Sequence, residues 1–442
     1  MTLAQPAPLS DLSTAICILF VFLVPLAAAG LALMNTGLGR SRSAAHSMLT
    51  SLAAFAVAAA VCFFCGFGFQ GFAGGPQHSI TIAGKSWGWI ASQPFFFRGL
   101  KWDSSPVPLI AWLQMLSVGF AAIIPLGSGG DRWRLGACCA SSALLAAFTY
   151  PIFAHWVWGG GWLAQLGTNY GLGRGFVDAG GSATIQVVGG LTALAIAWIL
   201  GPRRGKYAVD GLPAAIPGHN AVLTLFGCLL ALLGWYGLNS AGAVLFVGIN
   251  PLRCVLIAIN TTLSAAAATL ATALVTRFRF GKPDASLCAN GWVGGLVASS
   301  AAAPFLAPAA AVLVGAVAGA LVAISVEWFE LRFQVDDPGG AVSVHMVCGI
   351  WGLLAVGISA RMPDQPLNAA IGNSSQWLAQ LAGIATLFGF VLPLTYGLNW
   401  LLNRFSPQRV TTEGERQGLD LHELGAGAYP EFLTHTDDFL QR

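Results

Sequence analysis

A chain of 442 residues that is 56% hydrophobic and only 9% charged is not composed like a soluble protein, in which about a quarter of residues carry charge. Five stretches, 43–84, 135–173, 211–252, 285–326 and 365–403, hold no Asp, Glu, Lys or Arg, and each could house a membrane helix of about 20 residues. The net charge of +3 gives no reason to propose nucleic acid as a partner.

Hydrophobic runs between the charged punctuation predict an all-α polytopic membrane protein with eleven transmembrane helices. They fall near 12–36, 46–72, 106–127, 135–157, 179–201, 220–240, 254–276, 286–303, 307–328, 339–360 and 378–403. Pro304 and Pro308 separate the eighth from the ninth, where no charge marks the break. With eleven spans the termini lie on opposite sides. If the N-terminus is outside, the inner segments hold 15 of the 21 Lys and Arg and the outer segments 6, so the expected orientation is N-out and C-in, in a cell (inner) membrane. Met1–Ser10 contains no Lys or Arg and so lacks the basic start of a signal peptide; the first span is expected to be retained. The nine cysteines read as small buried apolar side chains, including the pair Cys62 and Cys65. Residues 1–404 form one membrane domain, and 405–442 a polar cytoplasmic tail too short for a core of its own.

One motif nearly occurs twice. DAGGSATIQVVGG, from Asp178, aligns without a gap to DPGGAVSVHMVCG, from Asp337, at an offset of 159 residues. In the predicted topology the first copy enters the bilayer from outside and the second from inside. That implies two inverted five-helix repeats plus one extra helix. Each Asp is placed to cap a helix start. Eight residues further, about 12 Å deeper, stand Gln186 and His345, both near the midplane of a hydrocarbon core about 30 Å thick. Polar side chains there need a partner or a water-lined path. The two residues either tie the helices together or line a pore.

Other polar features are ambiguous alone. AHWVWGGGW places His155, Trp156, Trp158 and Trp162 at the outer end of the fourth span, as an interfacial anchor or as a mouth that attracts a cation. GWYGLNSAGA, 234–243, either interrupts the sixth span as a discontinuous helix or ends it. The sequence contains no nucleotide-binding loop, metal-ligand cluster or ladder of intramembrane charges. The expectation is therefore no enzyme, no cofactor, no metal and no ATP-driven pump, but a small, weakly polar permeant or a sensor for one.

AHWVWGGGW, DAGGSATIQ, GWYGLNSAGA, FRFGKPDASLCANGWVGGLV, DDPGGAVSVHMVCGIWG and GLDLHELGAGAYPEF, in this order, resemble the ammonium transporter/methylammonium permease/Rhesus (Amt/Mep/Rh) family over nearly the whole chain. The resemblance implies a homotrimer with a pore in each eleven-helix subunit, passage of ammonium or ammonia (methylammonium as a further substrate), and a tail that contacts inner loops and in some members a PII-type signalling protein. It makes Trp158 the outer-site tryptophan, Asp178 the structural acid near it, Tyr150 a neighbouring tyrosine, Asn239 part of the sixth-span motif, and His345 the second of two paired pore histidines. This chain departs from the pattern at Gln186, in place of the first paired histidine. Ser117 and Leu238 stand in place of two gating phenylalanines, Gly242 in place of an outer serine, and Gly340 in place of an acid. A Gln amide can bond His345 and a permeant but cannot hold an extra proton at physiological pH. The expected function is ammonium/ammonia transport past Trp158, Gln186 and His345; the alternatives are an ammonium-binding sensor with little transport or a Rhesus-like neutral gas channel.

Overall fold

The computed structural model describes residues 9–103, 105–361 and 374–429. The basic-free residues before position 9, the tail motif beyond 429 and Arg442 lie outside the described residues. Among the described residues, ten helices are long and apolar enough to cross a membrane. These are α1 (Asp11–Leu38), α2 (Ser41–Gln70), α3 (Pro106–Gly129), α4 (Leu135–Val157), α5 (Ser182–Leu200), α6 (Ala221–Val247), α7 (Pro251–Phe280), α9 (Pro308–Phe333), α10 (Val342–Ser359) and α11 (Ser375–Phe405). Between α7 and α9 lies α8, Ala285–Ser300, at the predicted eighth position. Its 16 residues rise only about 24 Å, short of a bilayer core. Buried turns at 301–305 continue it, and Pro308 opens α9 at a position that needs no backbone N–H.

Helix starts follow local chemistry. The Ser10 hydroxyl accepts from Ser13 N, Asn220 Oδ1 from Leu223 N, and Asp284 Oδ1 from Leu287 N, each closing an orphan donor of a first turn. Small residues then set the packing. On α1 and α6, Gly30 lies on the Gly227 carbonyl, Gly234 on Ala27 and Gly237 on the Phe20 carbonyl, so the two backbones touch. Gly315 and Gly319 of α9 meet Ser264 and Ala268 of α7 in the same way. Helix α5 is central and almost wholly buried, whereas most of α11 is at least partly exposed. Leu19, Phe22, Leu270, Phe278, Leu313 and Trp400 are exposed apolar side chains on the outer helices, as a hydrocarbon solvent favours.

Two expectations need correction. The chain is not wholly helical: Gln77–Ile82 (β1) and Lys85–Ala91 (β2) form an antiparallel hairpin between α2 and α3. It packs on the end of α4, where Gly88 carbonyl accepts from Trp162 N and Trp89 carbonyl from Trp156 Nε1. The 234–243 stretch does not break or end its helix, because α6 runs continuously from Ala221 to Val247. Its glycines serve close backbone contact instead, and the helix stops at Gly248, whose φ of 71° suits a left-handed terminus.

The face opposite the hairpin is tied by buried ion pairs and by the tail. Arg203 donates from Nε and Nη2 to Asp336, both at 2.9 Å, and from Nη1 to Asp131 at 3.1 Å. Burial opposes ionisation of Asp336, yet these bonds and the Arg132 guanidinium hold its carboxyl at about 2. The tail supplies caps: Asp420 accepts from Ala45 N and His46 N at the start of α2, and Glu423 from Leu135 N at the start of α4 and from His46 Nε2. Glu423 is also held below its ordinary value, burial again being outweighed, here by His46 and Leu135. Depressed carboxyls stabilise the docked state above their ordinary range and lose that contribution as pH falls through the folded value. Protection of 408–429 from proteolysis is therefore expected to fall as pH drops below the ordinary glutamate value of 4.5, and Glu423→Gln to weaken protection at neutral pH. Unchanged protection in both would show that these carboxylates do not hold the tail.

Candidate functional site

The two copies of the repeated motif fold alike. Asp178 accepts hydrogen bonds from Gly181 N (3.1 Å), Ala183 N (3.1 Å), Thr184 N (2.9 Å) and Thr184 Oγ1 (3.0 Å). Asp337 accepts from Ala341 N (3.0 Å), Val342 N (2.7 Å) and Ser128 Oγ (2.6 Å). The turn before each helix passes through a left-handed glycine, Gly181 at φ 91° and Gly340 at φ 70°, where a side chain is strained. Each helix then opens with one wide π-helical stretch, Ser182–Val187 and Val342–Val347. Such turns are frequent at functional sites. Gly190 lies on the Met346 backbone and Gly349 on the Ser182 carbonyl, so the start of each helix packs against the middle of the other.

This packing brings Gln186 and His345 together. Oε1 of Gln186 and Nδ1 of His345 are 2.7 Å apart, and the residues are 0% and 1% exposed. An amide oxygen only accepts, so in this arrangement Nδ1 carries the imidazole proton and Nε2 keeps its lone pair. Nε2 of Gln186 finds no acceptor among the described residues. The pair therefore offers an unused amide donor and an imidazole acceptor to a third group. Beyond His345 toward the tail-side face is a narrow void bordered by Asn35, Asn290 and Gly339, without room for a water-sized sphere.

Three other candidates gather around the Asp178 loop. Trp158, 8% exposed, donates its indole N–H to the Asp178 carbonyl at 2.7 Å. Asn239 donates from Nδ2 to Thr261 Oγ1 at 3.0 Å and packs on Gly180. Gly242 faces the Ala179 carbonyl so closely that a Cβ there would collide with it. Leu238 is buried four residues earlier on the same helix. Tyr150 and Ser117 have other partners: Tyr150 donates its hydroxyl to Gln114 Oε1 at 2.7 Å, and Ser117 is fully buried one turn beyond Gln114 on α3. Among the described residues, no hydrogen bond or ring contact joins either of them to Trp158.

Only Trp158 of the AHWVWGGGW stretch turns toward the loop. His155 Nδ1 bonds the Gln70 carbonyl, while Trp156 and Trp162 pack with the hairpin's Trp89 and Trp87. Sequence reasoning missed Phe246, whose ring stacks on Trp158 with centroids 4.2 Å apart and planes at 10°. Its spacing of four from Gly242 places both on one helical stripe, the signal that could have found it. It also missed Gln114, the partner of Tyr150.

Gly242→Ser would restore the hydroxyl that the family resemblance puts there, but a Cβ at this position meets backbone rather than a movable side chain. The expected result is a loss of about 1–3 kcal/mol in stability, as for other overpacked sites, measured by thermal unfolding in detergent. Wild-type stability would mean that the Ala179–Gly180 backbone yields freely.

A family model described as the Ammonium Transporter Family matches residues 15–429. Ammonium transporter Amt2 of Archaeoglobus fulgidus is 36% identical over 93% of this chain and 87% of its own length. An ammonium transporter of Bacillus subtilis is 31% identical over 94% of this chain and 97% of its own. Among solved structures, a sensor Amt protein superposes with a TM-score of 0.84 at 28% identity, over 93% of this chain and 98% of that one. Mep2 of Candida albicans shares the fold, with a TM-score of 0.79 over 96% of this chain and 92% of that one at 23% identity. With a matched model that spans almost the whole sequence and relatives of similar length on either side, the chain belongs to the ammonium transporter family.

Proposed function

We propose that this protein carries ammonium or ammonia across a cell membrane through a pore in each subunit. Ammonium is recruited near Trp158 and passes Gln186 and His345. The observation that carries the reading is the 2.7 Å Gln186–His345 bond, buried where two Asp-capped helices meet, with the Gln186 amide donor unused. A buried donor without a partner costs about 1–3 kcal/mol, so it is retained where a passing molecule can accept from it. Ammonia has the lone pair to accept, and its N–H groups can donate to His345 Nε2.

Asp178 is the structural acid of this site, and Asn239, Leu238 and Gly242 its α6 wall; Tyr150 and Ser117 flank it from α4 and α3. The α1–α6 and α5–α10 contacts pair helices five apart, and the matched caps, left-handed glycines and π-helical turns recur at one offset. These support two inverted five-helix repeats, with α8 as a short eighth span and α11 added. The basic bias supports N-out and C-in, which places the tail in the cytoplasm. A homotrimer and a PII-type partner at the tail-side face rest on the family resemblance.

Reconstituted protein tests the reading. An ammonium pulse across a vesicle should move charge, change lumenal pH, or both; pH change alone would indicate a neutral gas channel. A second reading, an ammonium-binding sensor, is favoured by the narrowness of the void beyond His345. Saturable ammonium binding with neither current nor pH change would replace transport with sensing.

A further inference from the structure

Resting on the reading of Trp158 as the recruitment site, we infer that Phe246 is a specificity-determining residue. Its ring covers one face of Trp158 and sets how large a cation the site accepts. The indole is held from its edge: its N–H is bonded to the Asp178 backbone, so the orientation of its two faces is set by the chain. Phe246 occupies one of those faces with nearly parallel planes and centroids 4.2 Å apart. A cation on an aromatic face sits within about 6 Å of the ring centroid. Sandwiching one between two rings requires two contact distances, roughly 7–8 Å in all. No ion fits in the observed stack, so the covered face becomes available only when the rings part.

The partner that moves is Phe246. Trp158 is buried and hydrogen-bonded, whereas Phe246 is half-buried, carries no polar tie, and lies in the last turn of α6 two residues before its left-handed end at Gly248. One turn before it, Gly242 has no side chain and lies against Ala179, so one stripe of α6 both carries the Phe246 ring that stacks on Trp158 and packs on the Asp178 loop that holds the indole N–H. The family's pattern leaves this mouth short of one aromatic ring, at Ser117, and of one hydroxyl acceptor, at Gly242. The structure supplies a ring from Phe246 instead, and places it as a competitor for the cation rather than as an open platform.

The test is equilibrium binding of ammonium and methylammonium to the full-length purified protein, which reads the site whether or not the pore conducts. Phe246→Ala is expected to tighten ammonium binding about threefold and to reduce the preference for ammonium over methylammonium about fivefold, since a stacked pair of this kind and a cation–π contact are of comparable strength. Phe246→Tyr, which keeps a stacking ring, should retain both wild-type values. Phe246→Leu, which keeps bulk without a π-face, should tighten ammonium binding as Ala does and serves if the Ala variant does not fold. An unchanged ammonium affinity in both Ala and Leu variants, or a Tyr variant that behaves like Ala, overturns the proposal. Trp158→Leu separates the two levels: if it leaves ammonium binding unchanged, the recruitment site itself is elsewhere and both readings fail. If it abolishes binding while the Phe246 variants change nothing, only the role of Phe246 is lost.

Discussion

Gln186→His is expected to raise the charge moved per ammonium pulse in proteoliposomes about 100-fold, the low end of what a positioned proton-transfer group contributes. In the native pair the His345 Nδ1 proton points at an amide oxygen 2.7 Å away. That oxygen accepts a hydrogen bond but does not hold a proton near neutral pH, so a proton chain stops there. An imidazole at the same position titrates in the physiological range and can accept the proton and pass one on. Neutral ammonia does not need this step. The ammonia-driven pH change in the same vesicles should therefore stay within about twofold of the wild type, which separates altered proton transfer from a simply wider pore. Equal current in wild type and Gln186→His, with both proteins folded and conducting, would show that position 186 does not limit charge movement.

Asp178→Ala is expected to cost about 3–5 kcal/mol, enough to leave little folded protein after extraction in detergent. The carboxylate satisfies three backbone N–H groups of the first turn of α5 and the Thr184 hydroxyl, all buried. Each donor left alone in such surroundings costs about 1–3 kcal/mol. Asp178→Asn keeps one accepting oxygen and presents an amide N–H to the remaining donors, so an intermediate loss of about 2 kcal/mol is expected. The Trp158 indole would lose its orientation as well, because its partner is the carbonyl of the same residue. Thermal unfolding followed by light scattering or size exclusion reads the effect. A wild-type midpoint for Asp178→Ala would mean that the loop holds its shape without the cap.

Much of this organisation was legible in the sequence because it is local. Gaps between charges located the helices, although α6 runs seven residues past its expected end at 240 and the start of α2 lies five residues before its expected one, and Asp178 and Asp337 cap the turns that immediately follow them. The repeated motif also brought Gln186 and His345 to one place, since an identical offset and an identical cap lead to the same depth on each helix. Where local signals conflict, the reading failed. Gly234, Gly237, Asn239 and Gly242 suggested a broken sixth helix because glycine weakens an isolated helix. In the folded chain the cost is offset by contact of the α6 backbone with α1 and with the Asp178 loop, which needs those glycines. A search for long apolar runs does not register the hairpin at 77–91, although HSITIAGKSWGWI alternates as a strand pair does.

Composition, charge spacing and the doubled motif by themselves determined the helical membrane class, the Asp caps and the polar pair at the centre, because these depend on residues adjacent in the chain or related by one repeat. Only the tertiary structure decided that Phe246 lies on Trp158, that Gly242 leaves room for a backbone carbonyl rather than a hydroxyl, and that Asp420 and Glu423 cap helices more than 280 residues away. Such partners are chosen by which surfaces the packed helices bring within about 4 Å, and no periodicity along the chain encodes that choice.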